Sequence, residues 1–198
     1  GPGMIAVTGA GGFLGWHLRV AAFGEDVEPI AVGDRFDLET AAQVLDQADL
    51  LIHLAGANRG DDVAALNVQF AQQMRAALDL SPTPVVYAGT IQTAGPYGES
   101  KTEAAQILQP DRDLALPNIF GEHGRPFYNS VVATFCHLLA TGGAPEVTED
   151  RELTLMHAQD AADWLLGAAS PVYRHATVSQ LLAVLREFAE TYPAQMPN

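Results

Sequence analysis

Cysteine is nearly missing from this chain: Cys136 is the sole one among 198 residues. An intramolecular disulfide is therefore excluded, which suits a reducing compartment, and the cytoplasm is the expected location. Positive charge is scarce as well, with 10 Lys and Arg against 24 Asp and Glu. A formal charge of −14 argues against tracking the phosphates of a nucleic acid and against an anionic membrane surface; its plainest effect is solubility. No apolar run approaches the ~18 residues that cross a bilayer. No signal-peptide pattern is seen, and Gly1–Gly3 read as a cloning remnant. The six His residues show no ligand spacing, so no metal is expected. Repeats and low-complexity segments are lacking too.

What the chain does have is 48% apolar residues, in short runs alternating with longer amphipathic stretches. That rhythm implies α/β with a parallel sheet, here a Rossmann-type doubly wound one. Strands are expected at Met4–Thr8, Pro29–Val32, Leu50–Leu54, Pro84–Ala88 and Leu114–Leu116. Helices are expected at Phe13–Phe23, Leu38–Ala48, Asp61–Leu80 and Gly98–Leu108. Beyond Pro117 the pattern changes. Asn118–Asn129 reads as a loop, Ser130–Ala140, Ala158–Ala169 and Ser179–Tyr192 as helices, and Glu152–Leu155 as a short strand. The length fits one compact domain, with residues 4–117 as the core and 118–198 as a small substrate-binding cap.

Thr8-Gly9-Ala10-Gly11-Gly12-Phe13-Leu14-Gly15 lies between a strand and a helix. Gly9 permits the tight turn, Gly12 lets the backbone approach a pyrophosphate, and Gly15 allows close helix–strand packing. The helix that opens at Phe13 and Leu14 offers free N–H groups and a positive dipole end. This pattern implies a dinucleotide. Its adenosine end is expected at Asp34, Arg35, Asp37 and Leu38. Asp34 suits the ribose 2′-OH of NAD, and Arg35 suits the 2′-phosphate of NADP, so both cofactors stay open.

Tyr97-Gly98-Glu99-Ser100-Lys101 sets Tyr and Lys four apart at a helix start, on one face. An ammonium beside a phenol favours phenolate and lowers its pKa. Such a Tyr exchanges a proton with a carbonyl or alcohol oxygen near neutral pH. Lys101 can also hold a nicotinamide ribose. Thr90, at the end of the fourth strand, can bond and orient the same oxygen. With hydride drawn from the nicotinamide, the protein need only position and polarise.

In that order the motifs resemble the extended short-chain dehydrogenase/reductases, which include nucleotide-sugar epimerases, dehydratases and reductases. His53-Leu54-Ala55-Gly56-Ala57-Asn58-Arg59 looks like the strand-end segment that lines the cofactor in that family, and Asn67-Val68 is similar to its helix Asn-Val. Thr90-Ile91-Gln92 and Leu116-Pro117-Asn118-Ile119-Phe120-Gly121 follow in order. The resemblance implies cofactor contacts at Leu54, Ala55, Gly56, Asn67 and Pro117, besides Tyr97 and Lys101. It implies substrate contacts at Asn58, Arg59, Gln92 and Asn118. Pro126–His137 looks like a segment of capsular-polysaccharide enzymes that reduce the 4-keto group of UDP-2-acetamido-2,6-dideoxy-hexos-4-uloses with NADPH. The chain departs from that subgroup at Ala115-Leu116, where it has Arg-Trp, and at Gly11, where a basic residue is frequent.

Near the expected substrate mouth, Arg125 is a diphosphate contact, and Tyr128 and Asn129 line the sugar pocket or cap the next helix. His123 reads as an exposed loop residue, Cys136 as a packed thiol, and Trp16 and Trp164 as core or interface aromatics. The expected activity is NAD(P)H-dependent reduction of a keto group, C4, on a nucleotide-activated deoxysugar, with a homodimer expected from the family. The alternatives are an epimerase or dehydratase of the same family, a ketoreductase of a natural-product intermediate, and a non-catalytic NAD(P)-sensing module. A dehydratase wants an acidic pair after Thr90, and Ile91-Gln92-Thr93-Ala94 has none.

Overall fold

In the computed structural model, which describes residues 3–57, 61–120, 138–144 and 150–191, the apolar runs become five parallel strands. They are β1 (Met4–Thr8), β2 (Asp26–Ile30), β3 (Leu50–His53), β4 (Val85–Thr90) and β5 (Arg112–Leu116). Their order is β2-β1-β3-β4-β5, with every neighbour parallel. This is the Rossmann order 3-2-1-4-5-6 with its outer strand 3 left out and the rest renumbered. The direction of winding reverses between β1 and β3. In open α/β sheets such a reversal opens a crevice beyond the carboxyl ends of the two strands.

The helices α1 (Phe13–Ala21), α2 (Leu38–Gln47), α3 (Val63–Leu80) and α4 (Gly95–Leu108) connect these strands. Ala6, Leu51, Val85 and Tyr87 of the sheet pack with Ala41, Leu45, Ala71, Met74, Leu78, Ala104 and Leu108 of α2, α3 and α4. Each large side chain so buried contributes roughly 1.5–3 kcal/mol. Ile5, Val7, Ile52, Val86 and Ala88 alternate with the first set and are equally buried, so both faces of the sheet are covered. Right-handed crossovers place α1 on the face opposite α2–α4, because β1 to β2 runs the other way along the sheet.

The chain divides into two compact units, Gly1–Leu116 with Ala162–Ala169, and Pro117–Ala161 with Ser170–Asn198. The second unit contains a three-stranded sheet of β6 (Asn118–Phe120), β7 (Glu152–His157) and β8 (Arg174–Thr177), in the order β6-β7-β8. β6 pairs parallel to β7, and β8 antiparallel. The helix α5 (Ala158–Leu165) follows β7, and α6 (Val178–Thr191) follows β8. Val178, Leu181, Leu182 and Leu185 form one helical stripe of α6 on Leu153 and Leu155.

Some boundaries move from their expected places. β2 lies at Asp26–Ile30, three residues earlier than expected at its start, because pairing begins at Met4↔Asp26 and Gly33 turns the chain away with φ +75°. α4 starts at Gly95, not Gly98, since Pro96 fits a first helical turn that needs no donor. The expected loop at Asn118 begins instead as β6, and β8 is an added strand. Most of the helix expected at Ser130–Ala140 lies outside the described residues.

Candidate active site

The glycine loop closes directly on the end of β1. Gly9 has φ +72°, and a Cβ there would sit 2.8 Å from the backbone nitrogen of Ala55. The turns after β1 and β3 therefore touch at Gly9, across the switch point. Gly12 donates its N–H to the Gly9 carbonyl at 3.1 Å and stands as the N-cap of α1. A Cβ on Gly15 would lie 2.5 Å from the carbonyl oxygens of Gly9 and Ala10, so the first helical turn packs on the loop only with glycine there. No side chain caps α1, and its first turn, with Phe13 and Leu14 half-buried, holds no acidic residue. Its leading N–H groups and dipole suit an anion.

Thr8 ties the two turns together. Its hydroxyl accepts the N–H groups of Leu54 and Ala55, both at 3.1 Å, and so donates its own proton to Nδ1 of His53 at 2.7 Å. Full burial, with Lys101 nearby, pushes His53 down to about 3, so the ring is neutral. It stacks on Tyr87 with centroids 5.6 Å apart.

Lys101, four residues after Tyr97 on α4, is buried and donates to the Ala88 carbonyl at 2.7 Å. Its ammonium lies 4.6 Å from the centre of the Tyr87 ring, and a Cβ on Gly56 would lie 3.7 Å from it. Burial lowers Lys101 to about 8, against the upward pull of Asp113. Tyr97 is raised, by burial. This corrects the expectation that Lys101 would lower the phenol: burial dominates, and the ammonium is directed at Ala88. Tyr97 thus stays a phenol at neutral pH. Thr90, ending β4, accepts the N–H of Gln92 at 3.1 Å.

Asn67 is fully engaged with protein groups. Its Oδ1 accepts the Ala57 N–H at 2.7 Å, and its Nδ2 donates to the Ala57 carbonyl at 3.1 Å and to Ser100 Oγ at 3.0 Å. Ser100 in turn donates to the Tyr97 carbonyl at 2.8 Å. The described geometry makes Asn67 a clamp between the β3 turn and the Tyr97–Lys101 helix.

Asp34 and Arg35 are exposed on a 3-10 turn, Gly33–Arg35, after β2. Asp37 instead caps α2, accepting from Thr40 N and Oγ1 at 2.9 and 2.6 Å, bonds that lower its pKa. Leu38, which opens α2, is exposed. Gln92 is exposed and bonds the Ala94 carbonyl at 3.2 Å. In the second unit Pro117 is buried, and Asn118 Nδ2 donates to the Thr154 carbonyl at 3.2 Å. Asn58, Arg59, His123, Arg125, Tyr128, Asn129 and Cys136 lie outside the described residues. Sequence reasoning passed over Thr8, His53, Gln73, Ser100 and Asp113. Thr8, His53 and Ser100 stand inside the quoted motifs but were given no role of their own, and Gln73 and Asp113 lie outside every motif.

No protein-family profile matches the chain. It is 29% identical over 174 residues to the UDP-2-acetamido-2,6-beta-L-arabino-hexul-4-ose reductase of Pseudomonas aeruginosa, covering 79% of this chain and 46% of that one. The chain thus spans about half the length of that curated relative. Among solved structures it is similar to the capsular polysaccharide assembling protein CapF of Staphylococcus aureus, with a TM-score of 0.70 and 27% identity over 96% of this chain and 60% of CapF. The Bordetella bronchiseptica enzyme WbmG, solved with NAD and UDP, shares the fold at a TM-score of 0.73 and 19% identity, over 98% of this chain and 79% of WbmG. Among the described residues no helix is long and apolar enough to cross a membrane, and no cluster of His, Cys, Asp and Glu suits a metal. In sequence and in fold the chain resembles the epimerase/dehydratase type of short-chain dehydrogenase/reductase, the UDP-4-keto-sugar reductases among them.

Proposed function

We propose that the chain is an NAD(P)H-dependent reductase acting on a keto group, C4, of a nucleotide-activated deoxysugar. The observation that carries this reading is the Tyr97–Lys101 pair on one face of α4, with the Lys101 ammonium buried against the end of β4. The reductase relative in Pseudomonas aeruginosa supports the substrate class.

The residues present fit a dinucleotide. The uncapped start of α1 behind Gly9 and Gly12 would hold the pyrophosphate. Asp34 and Arg35 would meet the adenosine ribose, and Lys101 the nicotinamide ribose. When bound, the nicotinamide supplies the hydride.

The chain's own part is proton transfer and positioning. Tyr97, held as a neutral phenol by burial, gives its proton to the substrate oxygen. Thr90 orients that oxygen by a hydrogen bond. The phenolate left behind regains its proton from solvent before the next turnover. Residues 118–198 are read as the substrate-binding cap of the enzyme. Asn58, Arg59, Arg125, Tyr128 and Asn129 would supply substrate contacts.

The test is oxidation of NADPH and NADH with a UDP-linked 4-keto-6-deoxy-hexosamine, in wild type and Tyr97→Phe. Turnover that falls by about 10²–10⁴-fold in the variant supports the reading. Turnover unchanged in the variant removes Tyr97 as the proton donor. Cofactor binding without turnover of this substrate redirects the chain to another ketone or to a sensing role.

A further inference from the structure

α3 bears two carboxamides that each grip a single backbone residue in a turn leaving the sheet. Asn67 does this at Ala57, after β3. Six residues on, about 9 Å along the helix axis, Gln73 does the same at Gly33, after β2. The Gly33 N–H donates to Gln73 Oε1 at 2.7 Å, and Gln73 Nε2 donates to the Gly33 carbonyl at 3.1 Å. Gly33 stands at φ +75°, where a side chain is strained, and a Cβ there would already press on Phe70 Cε1 at 3.4 Å. The Gly33 carbonyl also accepts the N–H of Phe36 at 3.1 Å, which closes the 3-10 turn.

Two exposed side chains, Asp34 and Arg35, stand between these anchors and the Asp37 cap of α2. They offer opposite charges from adjacent positions. Which one reaches a ribose 2′ position depends on how the short turn is rotated, and the described bond that sets its starting point comes from Gln73. A guanidinium recognises a phosphate through a fixed fork of N–H groups, so small rotations change its grip.

We propose that Gln73 is a specificity-determining positioning residue: through Gly33 it orients the Asp34–Arg35 turn and so sets discrimination between a ribose 2′-OH and a 2′-phosphate. This rests on the reading that the chain binds a nicotinamide dinucleotide.

The experiment measures direct binding of NADH, NADPH, 5′-AMP, 2′,5′-ADP and nicotinamide mononucleotide to wild type, Gln73→Met and Gln73→Glu. Gln73→Met keeps the length and loses both bonds. Gln73→Glu keeps the acceptor for the Gly33 N–H alone. The expected result is that Gln73→Met changes the NADH-to-NADPH preference and weakens at least one adenosine fragment by about tenfold or more. Nicotinamide mononucleotide should bind as in wild type, and Gln73→Glu should fall between. At saturating keto substrate, the KM for the cofactor rises and kcat stays.

Unchanged fragment affinities and an unchanged preference, in a wild type that binds dinucleotides, overturn the role of Gln73 alone. Equal weakening of every ligand, nicotinamide mononucleotide included, also overturns it, since that is general loosening. A wild type that binds neither dinucleotides nor adenosine fragments overturns the cofactor reading itself. Should Gln73→Met fail to fold, Gln73→Glu carries the same comparison.

Discussion

The Lys101 ammonium rests 4.6 Å from the centre of the Tyr87 ring while bonded to the Ala88 carbonyl at 2.7 Å. A cation held so far out of water needs compensation, and the aromatic face and the carbonyl supply part of it. Asp113 supplies charge. It pairs in register with Tyr87 on the neighbouring strand, and its carboxylate lies over Gly89, where any Cβ would collide with it.

Removing that charge should move the pH profile. Burial lowers the Lys101 pKa, and the Asp113 carboxylate raises it against that. If activity requires the ammonium, wild-type kcat/KM falls as pH rises through about 8. In Asp113→Asn that fall should come at lower pH. An unmoved alkaline limb would assign the limb to a different group.

His53 predicts an acid-labile fold. Its folded value of about 3 lies below the ordinary 6.5, so the unfolded chain takes up the proton first. The stabilisation is complete above pH 6.5 and is lost as pH falls toward 3, by up to about 1.4 kcal/mol per unit. Urea unfolding at pH 7.5, 5.5 and 4.5 should show a steeper loss for wild type than for His53→Asn, which keeps an acceptor for Thr8. Parallel slopes would clear His53 of this role.

Gly98, inside the Tyr97–Lys101 motif, is where α4 meets the turn after β4. A Cβ there would lie 2.7 Å from the Gln92 carbonyl oxygen and from the Thr93 carbonyl carbon, all rigid backbone. In an ordinary helix Gly→Ala stabilises by roughly 0.5–1 kcal/mol. Here Gly98→Ala should destabilise by about 1–3 kcal/mol and lower turnover by displacing Thr90. Gly11→Ala, with nothing within 4 Å of its Cβ, is the control. Melting temperatures and kcat of both variants decide the point.

Asn67→Leu should strip partners from the Ala57 N–H, the Ala57 carbonyl and Ser100 at once. A cost on the order of 2–3 kcal/mol is expected, with weaker cofactor binding, because the β3 turn would no longer be pinned to α3. Unaltered cofactor affinity would mean that the turn holds its place without the clamp.

Much of the fold was legible because it rests on local rules, and so was the spacing of the candidate site's residues. Gly9, Gly12 and Gly15 sit where strand, turn and helix demand little or no side chain, and Tyr97 and Lys101 share a face through plain helical spacing. What escaped was non-local. Gln73 on a helix surface looks like a solvated amide, and only the fold brings Gly33 to it. Asp113 reads as a strand-edge acid until β5 lies beside Gly89. β8, Arg174–Thr177, is exposed or half-buried throughout and lacks the alternation that announces a strand. β2 was misplaced because Asp26, Glu28 and Pro29 hide it in composition.

Those same three residues matter to the molecule in solution. Among the described residues β2 is one margin of the sheet, and an open margin invites a strand from another chain. Pro29 offers no N–H to such a visitor, and Asp26 and Glu28 repel a second acidic copy. The shortened sheet thus carries its own guard against edge-to-edge growth into fibrils. Replacing Glu28 and Pro29 with valine would make that margin smooth, apolar and adhesive, and the protein would be expected to precipitate from concentrations that the native chain tolerates.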